Sequence, residues 1–512
     1  MKLSRLSKIS LLLAVFFLLD KLLAILRQVL IARQFGLSRE LDAFNVANNV
    51  PDLLFALISG GALAMAFIPV LSEVLTKSGR ESSWKLFSRI ANLAFLVTSF
   101  LALLVAVFAA PMVRAQIGIA PGFTSVQQDV VIHLMRLNLI ATIIFSISGL
   151  VMAGLQANQH FFFPALAPLF YNIGQIFGVL VLSPAKSYAI GPITLPAFNL
   201  GVTGLVYGVI IGACLHLLIQ VPALVKYRFH WSPGLALKDE EVQKVLRMMG
   251  PRLLTMFFIQ LTFLIRDNLA SRLAAGAVTS LTYGYMLAQV PETLVGTAIG
   301  TAMLPTLSEH FAAGMKEAFL QTIQKAVQVL IAVTLPIAAV MAIGLRPLLS
   351  LAFNFGDAGT TLLAWVTAAF LLGLMGQSLK EVGARSFYAR QSPWVPLITA
   401  AINVALYIGI GSLLYRPLGA PGIALTDSIV FTLEAIILLA VLSRRMISPI
   451  RLGSSVWRPL AAMLTAGLVT WGSLSFLEPR VSPLISGTVP MILGILVCLP
   501  WVWKEFRLLG HL

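Results

Sequence analysis

Short polar connections divide this chain of 512 residues into fourteen apolar runs, at about 9–34, 41–70, 87–111, 128–153, 161–183, 200–223, 248–271, 280–304, 322–345, 360–383, 394–415, 420–442, 456–476 and 484–503. Each is long enough, at about 1.5 Å per helical residue, to cross a hydrocarbon layer of roughly 30 Å. Backbone N–H and C=O groups find no water in such a layer, so each run must close its hydrogen bonds within itself. The expected fold is therefore all-α and polytopic, with 14 transmembrane helices. Composition agrees: 58% of residues are hydrophobic and 11% charged, with mean hydropathy +0.92, against roughly 25% charged in soluble chains. The formal charge of +16 would suit nucleic acid only if the basic residues clustered on a soluble domain, and no such domain is present.

The basic residues instead report orientation. With Lys2, Arg5 and Lys8 inside, the inner connections carry Lys77, Arg80, Lys85, Arg89, Lys226, Arg228, Lys238, Lys244, Arg247, Lys316, Lys325, Arg385, Arg390, Arg444, Arg445, Arg451 and Arg458. The outer ones carry only Arg33, Arg39, Arg114, Lys186, Arg272, Arg346, Arg416 and Arg480. This asymmetry, with Lys504 and Arg507 after the last run, predicts that both termini are cytoplasmic. The opening Leu11–Leu19 run has a basic start but no small-residue cleavage site after it, and reads as a retained first helix. Cys214 and Cys498 lie singly in apolar runs and read as packing residues.

Polarity concentrates between Asp20 and Glu73. Asp20, Lys21 and Arg27 interrupt the first run; Asp42, Asn45, Asn48, Asn49 and Asp52 interrupt the second. An ionisable group at bilayer depth costs at least about 2.5 kcal/mol, so such groups face a bundle interior or a wet path. Asp20, Arg27 and Gln34 recur every seven residues on one helical stripe, which is expected to line a cavity.

The chain also repeats. Arg27-x-x-Leu30-x-x-Arg33, ending at Gly36, returns as Arg266-x-x-Leu269-x-x-Arg272, ending at Gly276. Val50-Pro51 and Pro69-x-Leu71-Ser72-Glu73 return as Val290-Pro291 and Pro305-x-Leu307-Ser308-Glu309. Ala157 to Pro164, followed by Asn172, matches Ala389 to Pro396, followed by Asn403; Leu200-Gly201-x-x-Gly204 matches Leu418-Gly419-x-x-Gly422. The expected organisation is a first lobe at 1–225, a basic cytoplasmic linker at 226–247, a second lobe at 248–445, and two further helices with a tail at 446–512. Six spans per copy make this a parallel repeat, with a cleft between the lobes.

No P-loop, H-E-x-x-H, G-x-S-x-G or paired carboxylate cluster with a matching base is present, which argues against an enzyme. The six histidines show no ligand spacing, so neither a cofactor nor a metal is expected. The remaining intramembrane charges are Arg136, Arg252, Arg266, Asp267, Glu292, Lys380, Glu381, Asp427 and Glu434. Cations at Lys21, Arg27 and Arg266, in the equivalent first helices of both copies, point to an anionic cargo.

Several of these residues carry a family resemblance. Arg27, Ala32-Arg33-x-Phe35-Gly36, Asp42-Ala43-Phe44, Val50-Pro51, Ala66-Phe67-Ile68-Pro69, the Gly300 to Glu309 segment and Phe387-Tyr388-Ala389-Arg390-Gln391 resemble the MurJ (MviN) family of lipid II flippases in the MATE-like exporter superfamily. The resemblance implies alternating access in a bacterial inner membrane, carrying undecaprenyl-pyrophosphate-linked peptidoglycan precursor to the outer leaflet. Arg27 then matches a cavity arginine, Asp42 an aspartate near the outer end of helix 2, and Lys21 replaces another arginine. Arg266 and Asp267 complete the expected substrate-binding set, with Asp20, Asn49, Gln289 and Glu292 as further cavity positions. The family's paired arginines of helix 2 are Phe55 and Ala56 here, its next acidic position is Gly60, and its helix 8 arginine and glutamate positions are Met286 and Gln289. The expected partners are the lipid-linked precursor, membrane lipids and a coupling ion, and the expected state is a monomer. Export of another lipid-linked glycan, MATE-like ion-coupled antiport and a non-transporting cell-wall scaffold are the alternatives.

Overall fold

A computed structural model of the protein describes residues 5–58, 61–444 and 457–508. Lys2, Gly60, Arg445, Arg451, the 445–456 junction and the last four residues of the tail lie outside them. The described residues are helical almost throughout, apart from a hairpin in which Ala189–Ile190 (β1) pairs antiparallel with Ile193–Thr194 (β2). Nine of their helices are long and apolar enough to cross a membrane, or ten if two consecutive helices bent by 40° at their junction count as one span.

The chain divides into two compact units, one ending at Leu264 and the other beginning at Ile265. The first contains α1 (Arg5–Phe35), α2 (Arg39–Ile58), α3 (Gly61–Arg114), α4 (Ser125–Ala157), α5 (Phe162–Phe177), α6 (Gly201–Leu218), α7 (Val221–Lys226) and most of α8 (Glu240–Ala270). Helix α4 packs against α2, α3 and α6, and α5 packs against α1 and α6. The seam between α5 and α6 is made by glycine. Gly174 and Gly178, the latter opening a π-helical continuation of α5 to Leu182, face Gly208 and Gly212 of α6. Without side chains at these positions the two backbones approach closely, the small-xxx-small mode of membrane helices.

The second unit contains α9 (Ala277–Pro291), α10 (Ala298–Ala312), α11 (Lys316–Gly344), α12 (Arg346–Phe353), α13 (Gly356–Leu371), α14 (Leu374–Ala389), α15 (Trp394–Arg444), α16 (Trp457–Leu477) and α17 (Pro483–Leu508). A π-helical stretch, Glu292–Thr297, joins α9 to α10 immediately after Pro291. Helix α14 packs on α15, and α16 and α17 pack on α11 around Ala332, Val340, Ala462, Ala466 and Cys498. Cys214 and Cys498 are both free thiols.

Two long helices are interrupted, α3 at Gly79 (φ 82) and α15 at Gly419 (φ 61). A positive φ is strained for residues with a Cβ and accessible to glycine, so each glycine lets the chain turn without a loop.

The basic segment after α7 is strapped onto α3. The Trp84 indole donates to the Tyr227 carbonyl at 3.1 Å, Asn92 donates to the Ser232 and Gly234 carbonyls at 3.0 Å each, and Trp231 donates to Asn92 at 2.8 Å. Arg89 pairs with Asp239 at 2.5 Å, and Lys244 with Glu73 at 2.6 Å. Glu73 lies in the polar stretch beyond the second apolar run, where hydrogen bonds from Lys244 and Lys77 hold its carboxyl down from 4.5 to about 2. A depressed carboxyl stabilises the folded state above its ordinary pKa. This tie should therefore be fully present above pH 4.5 and be lost as pH falls toward 2. Arg89→Asp is expected to speed protease cleavage within 227–239 about fivefold, equivalent to about 1 kcal/mol for a half-exposed pair, and adding Asp239→Arg should restore protection. Unchanged cleavage in the single variant would show that the aromatic contacts alone hold the strap.

Candidate functional site

In the first unit the polar stripe of α1 meets α5. Asp20 and Arg27 are seven residues apart, about 10 Å along the helix axis, too far for a direct ion pair. Asn172 of α5 bridges them. Its Oδ1 accepts from Arg27 Nη1 at 3.0 Å, and its Nδ2 donates to Asp20 Oδ1 at 2.8 Å and to the Pro168 carbonyl at 3.2 Å. Asn172 is buried, Asp20 and Arg27 are half-buried, and the Arg27 Nε is buried with no hydrogen-bond partner among the described residues. Elsewhere in this unit Asn138 of α4 bonds Asn48 of α2, and Phe55 packs edge-on against Phe145, 5.2 Å between centroids. His216 is satisfied by Ser148, 2.6 Å from its Nδ1, with Gln220 closing the network.

Lys21 does not join this cluster. It is exposed on α1 beside the exposed Leu18, Leu22 and Ile25. Asp42 is 1% exposed on α2 and Asn49 is half-buried on the same helix.

The second unit holds a denser polar group. Arg266 lies 3.7 Å from Asp267 and its guanidinium stands 5.7 Å from the Tyr285 ring centroid; Arg266 and Asp267 are 5% and 1% exposed. Gln289 is exposed and hydrogen-bonds Tyr285. Glu292 is buried in the π-helical stretch and accepts from Thr297 at 3.0 Å. Asn403, the repeat counterpart of Asn172, donates to Glu434 at 2.6 Å, and the Tyr407 hydroxyl donates to Asp427 at 2.9 Å. Lys380 lies 4.4 Å from the Phe431 ring centroid.

Sequence reasoning found Arg27 and Asp20 but not the group that joins them. The available signal was an asparagine at matching positions in both repeats, Asn172 and Asn403, each inside an apolar run.

A family model described as "Lipid II flippase MurJ" matches residues 31–492. The chain belongs to the MurJ family. Curated MurJ relatives include "Lipid II flippase MurJ" of Burkholderia cenocepacia, 30% identical over 474 residues covering 90% of this chain and 89% of the relative. "Probable lipid II flippase MurJ" of Haemophilus influenzae is 27% identical, covering 89% and 90%. Among solved structures, "Lipid II flippase MurJ, inward closed conformation" superposes with a TM-score of 0.78 at 21% identity, covering 98% of this chain and 99% of that one. An inward-facing multidrug resistance MATE family transporter of the MOP superfamily gives 0.67 at 14% identity, covering 83% and 94%. The fold is thus that of the MurJ and MATE-like transporters, and this MurJ-family chain is a multi-pass membrane protein.

Where the resemblance leads one to expect paired arginines, Phe55 is instead part of an aromatic cluster with Phe145 and Tyr171. In this MurJ-family chain the cationic character of the first unit's polar cluster therefore falls on Arg27.

Proposed function

We propose that this chain is a lipid II flippase that moves the undecaprenyl-pyrophosphate-linked precursor from the cytoplasmic to the outer leaflet by alternating access, a transporter and not an enzyme. The observation that carries this reading is the Arg27 guanidinium, held inside an apolar helix by the neutral Asn172. A guanidinium kept at membrane depth without a carboxylate partner is suited to an anionic headgroup. Lys21, Asp42, Arg266 and Asp267 are the further substrate positions of this reading, with Asp20, Asn49, Gln289 and Glu292 beside them.

Fourteen spans, as two copies of a six-span unit and two further spans, belong to the same proposal. Helix Phe67–Arg114 has 48 residues and Trp394–Arg444 has 51; at about 1.5 Å per residue each is twice the length one crossing needs, and each breaks at a glycine. Repeat-matched positions also share left-handed backbone: Gly36 and Gly276 (φ 61 and 87), Gln159 and Gln391 (58 and 54), Gly201 and Gly419 (54 and 61). Both termini are proposed to be cytoplasmic, in a bacterial inner membrane.

Four buried carboxylates of the second unit have partners within the fold, which favours an anionic over a cationic cargo: Asp427 accepts from Tyr407, Glu434 from Asn403 and Glu292 from Thr297, and Asp267 lies beside Arg266. The test is rescue of a strain depleted of its own lipid II flippase. Expression of this chain should restore growth, and the purified protein should retain lipid II over neutral undecaprenol in native mass spectrometry. Good membrane accumulation with neither result would overturn the proposal.

A further inference from the structure

Asn172 does more than tie α5 to α1. A carboxamide can accept from a guanidinium with one atom while donating to a carboxylate with the other; a carboxylate cannot donate, and an ammonium cannot accept. Here the two halves of one buried side chain face Arg27 and Asp20 at 3.0 and 2.8 Å. Asp20, too far along α1 to reach Arg27, gains a donor, and Arg27 is oriented without being neutralised. No carboxylate lies within ion-pair distance of Arg27 among the described residues, and Asp52 acts on it only at longer range. The second unit is built differently: Arg266 sits beside Asp267, and Asn403 serves Glu434 instead.

We propose that Asn172 is a positioning residue for substrate, a neutral partner that aims the Arg27 guanidinium without compensating its charge, so that the charge is left for the pyrophosphate of the cargo. This rests on the flippase reading above and names the residue that makes Arg27 an anion site. Pyrophosphate can accept from the remaining N–H groups of Arg27 while Nη1 stays on Asn172, since a guanidinium carries five donors.

The experiment separates positioning from simple helix adhesion. Asn172→Asp keeps the shape and the acceptor for Arg27 but converts the contact into an ion pair. Combining it with Asp20→Asn returns the total charge and restores a donor–acceptor link between positions 20 and 172, so adhesion alone predicts recovery in the double variant. Purified full-length proteins are titrated with undecaprenyl pyrophosphate and with neutral undecaprenol in native mass spectrometry, with thermal unfolding recorded in parallel. The proposal expects Asn172→Asp and the double variant both to lose about tenfold in affinity for the pyrophosphate lipid, with the double variant unfolding near the wild-type temperature. Asn172→Gln, which keeps the carboxamide, should retain most of the affinity, and it serves as the decisive variant if the aspartate forms do not fold. Wild-type affinity in the double variant, or loss of affinity in Asn172→Gln with unchanged stability, would overturn the proposal. Wild-type protein that holds pyrophosphate lipid no better than undecaprenol would instead overturn the flippase reading, and this inference with it.

Discussion

Replacing Arg27 by alanine is expected to abolish rescue of a flippase-depleted strain while the protein still accumulates in the membrane. Among the described residues the guanidinium makes one hydrogen bond, to Asn172, and its loss leaves Asn172 able to keep its contact with Asp20. Folding should lose no more than about 1 kcal/mol. Binding loses a charge-assisted contact to pyrophosphate, about 2 kcal/mol or roughly thirtyfold in affinity. Lysine at the same position keeps the charge but not the fork, so Arg27→Lys should rescue partially. Growth on depletion, scored against membrane abundance by immunoblot, checks both. Full rescue by Arg27→Ala would move the headgroup contact elsewhere. Arg266→Ala is expected to fail in another way. It removes the cation 3.7 Å from Asp267, which is 1% exposed. Breaking a buried ion pair costs about 3–5 kcal/mol, so abundance should fall together with activity.

Gly178→Leu is expected to remove the folded protein altogether. A Cβ at Gly178 would lie 2.7 Å from Gly208 Cα and 2.9 Å from the Gly204 carbonyl oxygen. These are backbone atoms, which cannot turn away as a side-chain tip can. Alanine there should already cost about 1–3 kcal/mol, and leucine must push α5 off α6 entirely. Because α5 carries Asn172, partial separation would also move the acceptor of Arg27. Membrane abundance and the unfolding temperature of the detergent-extracted protein are the measurements. Gly409→Ala is the matched control, since a Cβ there meets nothing within 4 Å and the change should be neutral or slightly stabilising. Equal tolerance of both substitutions would mean that the α5–α6 seam is not close-packed.

The parts legible in the sequence were those written in local pattern. Long apolar runs imposed helices, Gly36 marked the end of the first, and Arg27 inside an apolar run marked a position that must face polar surroundings; the breaks at Gly79 and Gly419 came only with the structure. The partner was less visible. Asp20 and Arg27 share a stripe, which suggested a wet path, and the sequence did not show that Asn172 of α5 bridges them. Lys21 is one residue from Asp20, but about 100° of helical rotation sends it to the exposed side of α1. Arg266 and Asp267 adjoin in the sequence, and the structure puts Arg266 Nε 3.7 Å from Asp267 Oδ1 in the second unit.

By itself, the sequence determined that this chain is helical and polytopic and that cations are embedded in its apolar runs. Those properties follow from hydropathy and spacing, and each is a sum over neighbouring residues along the chain. Only the tertiary structure decided which cation is neutralised and which is merely oriented. That depends on a side chain 145 residues away from Arg27 and on how closely two glycine-lined helices approach. A hydrogen bond of 3.0 Å is a property of packed helices and leaves no periodic mark in the order of the amino acids.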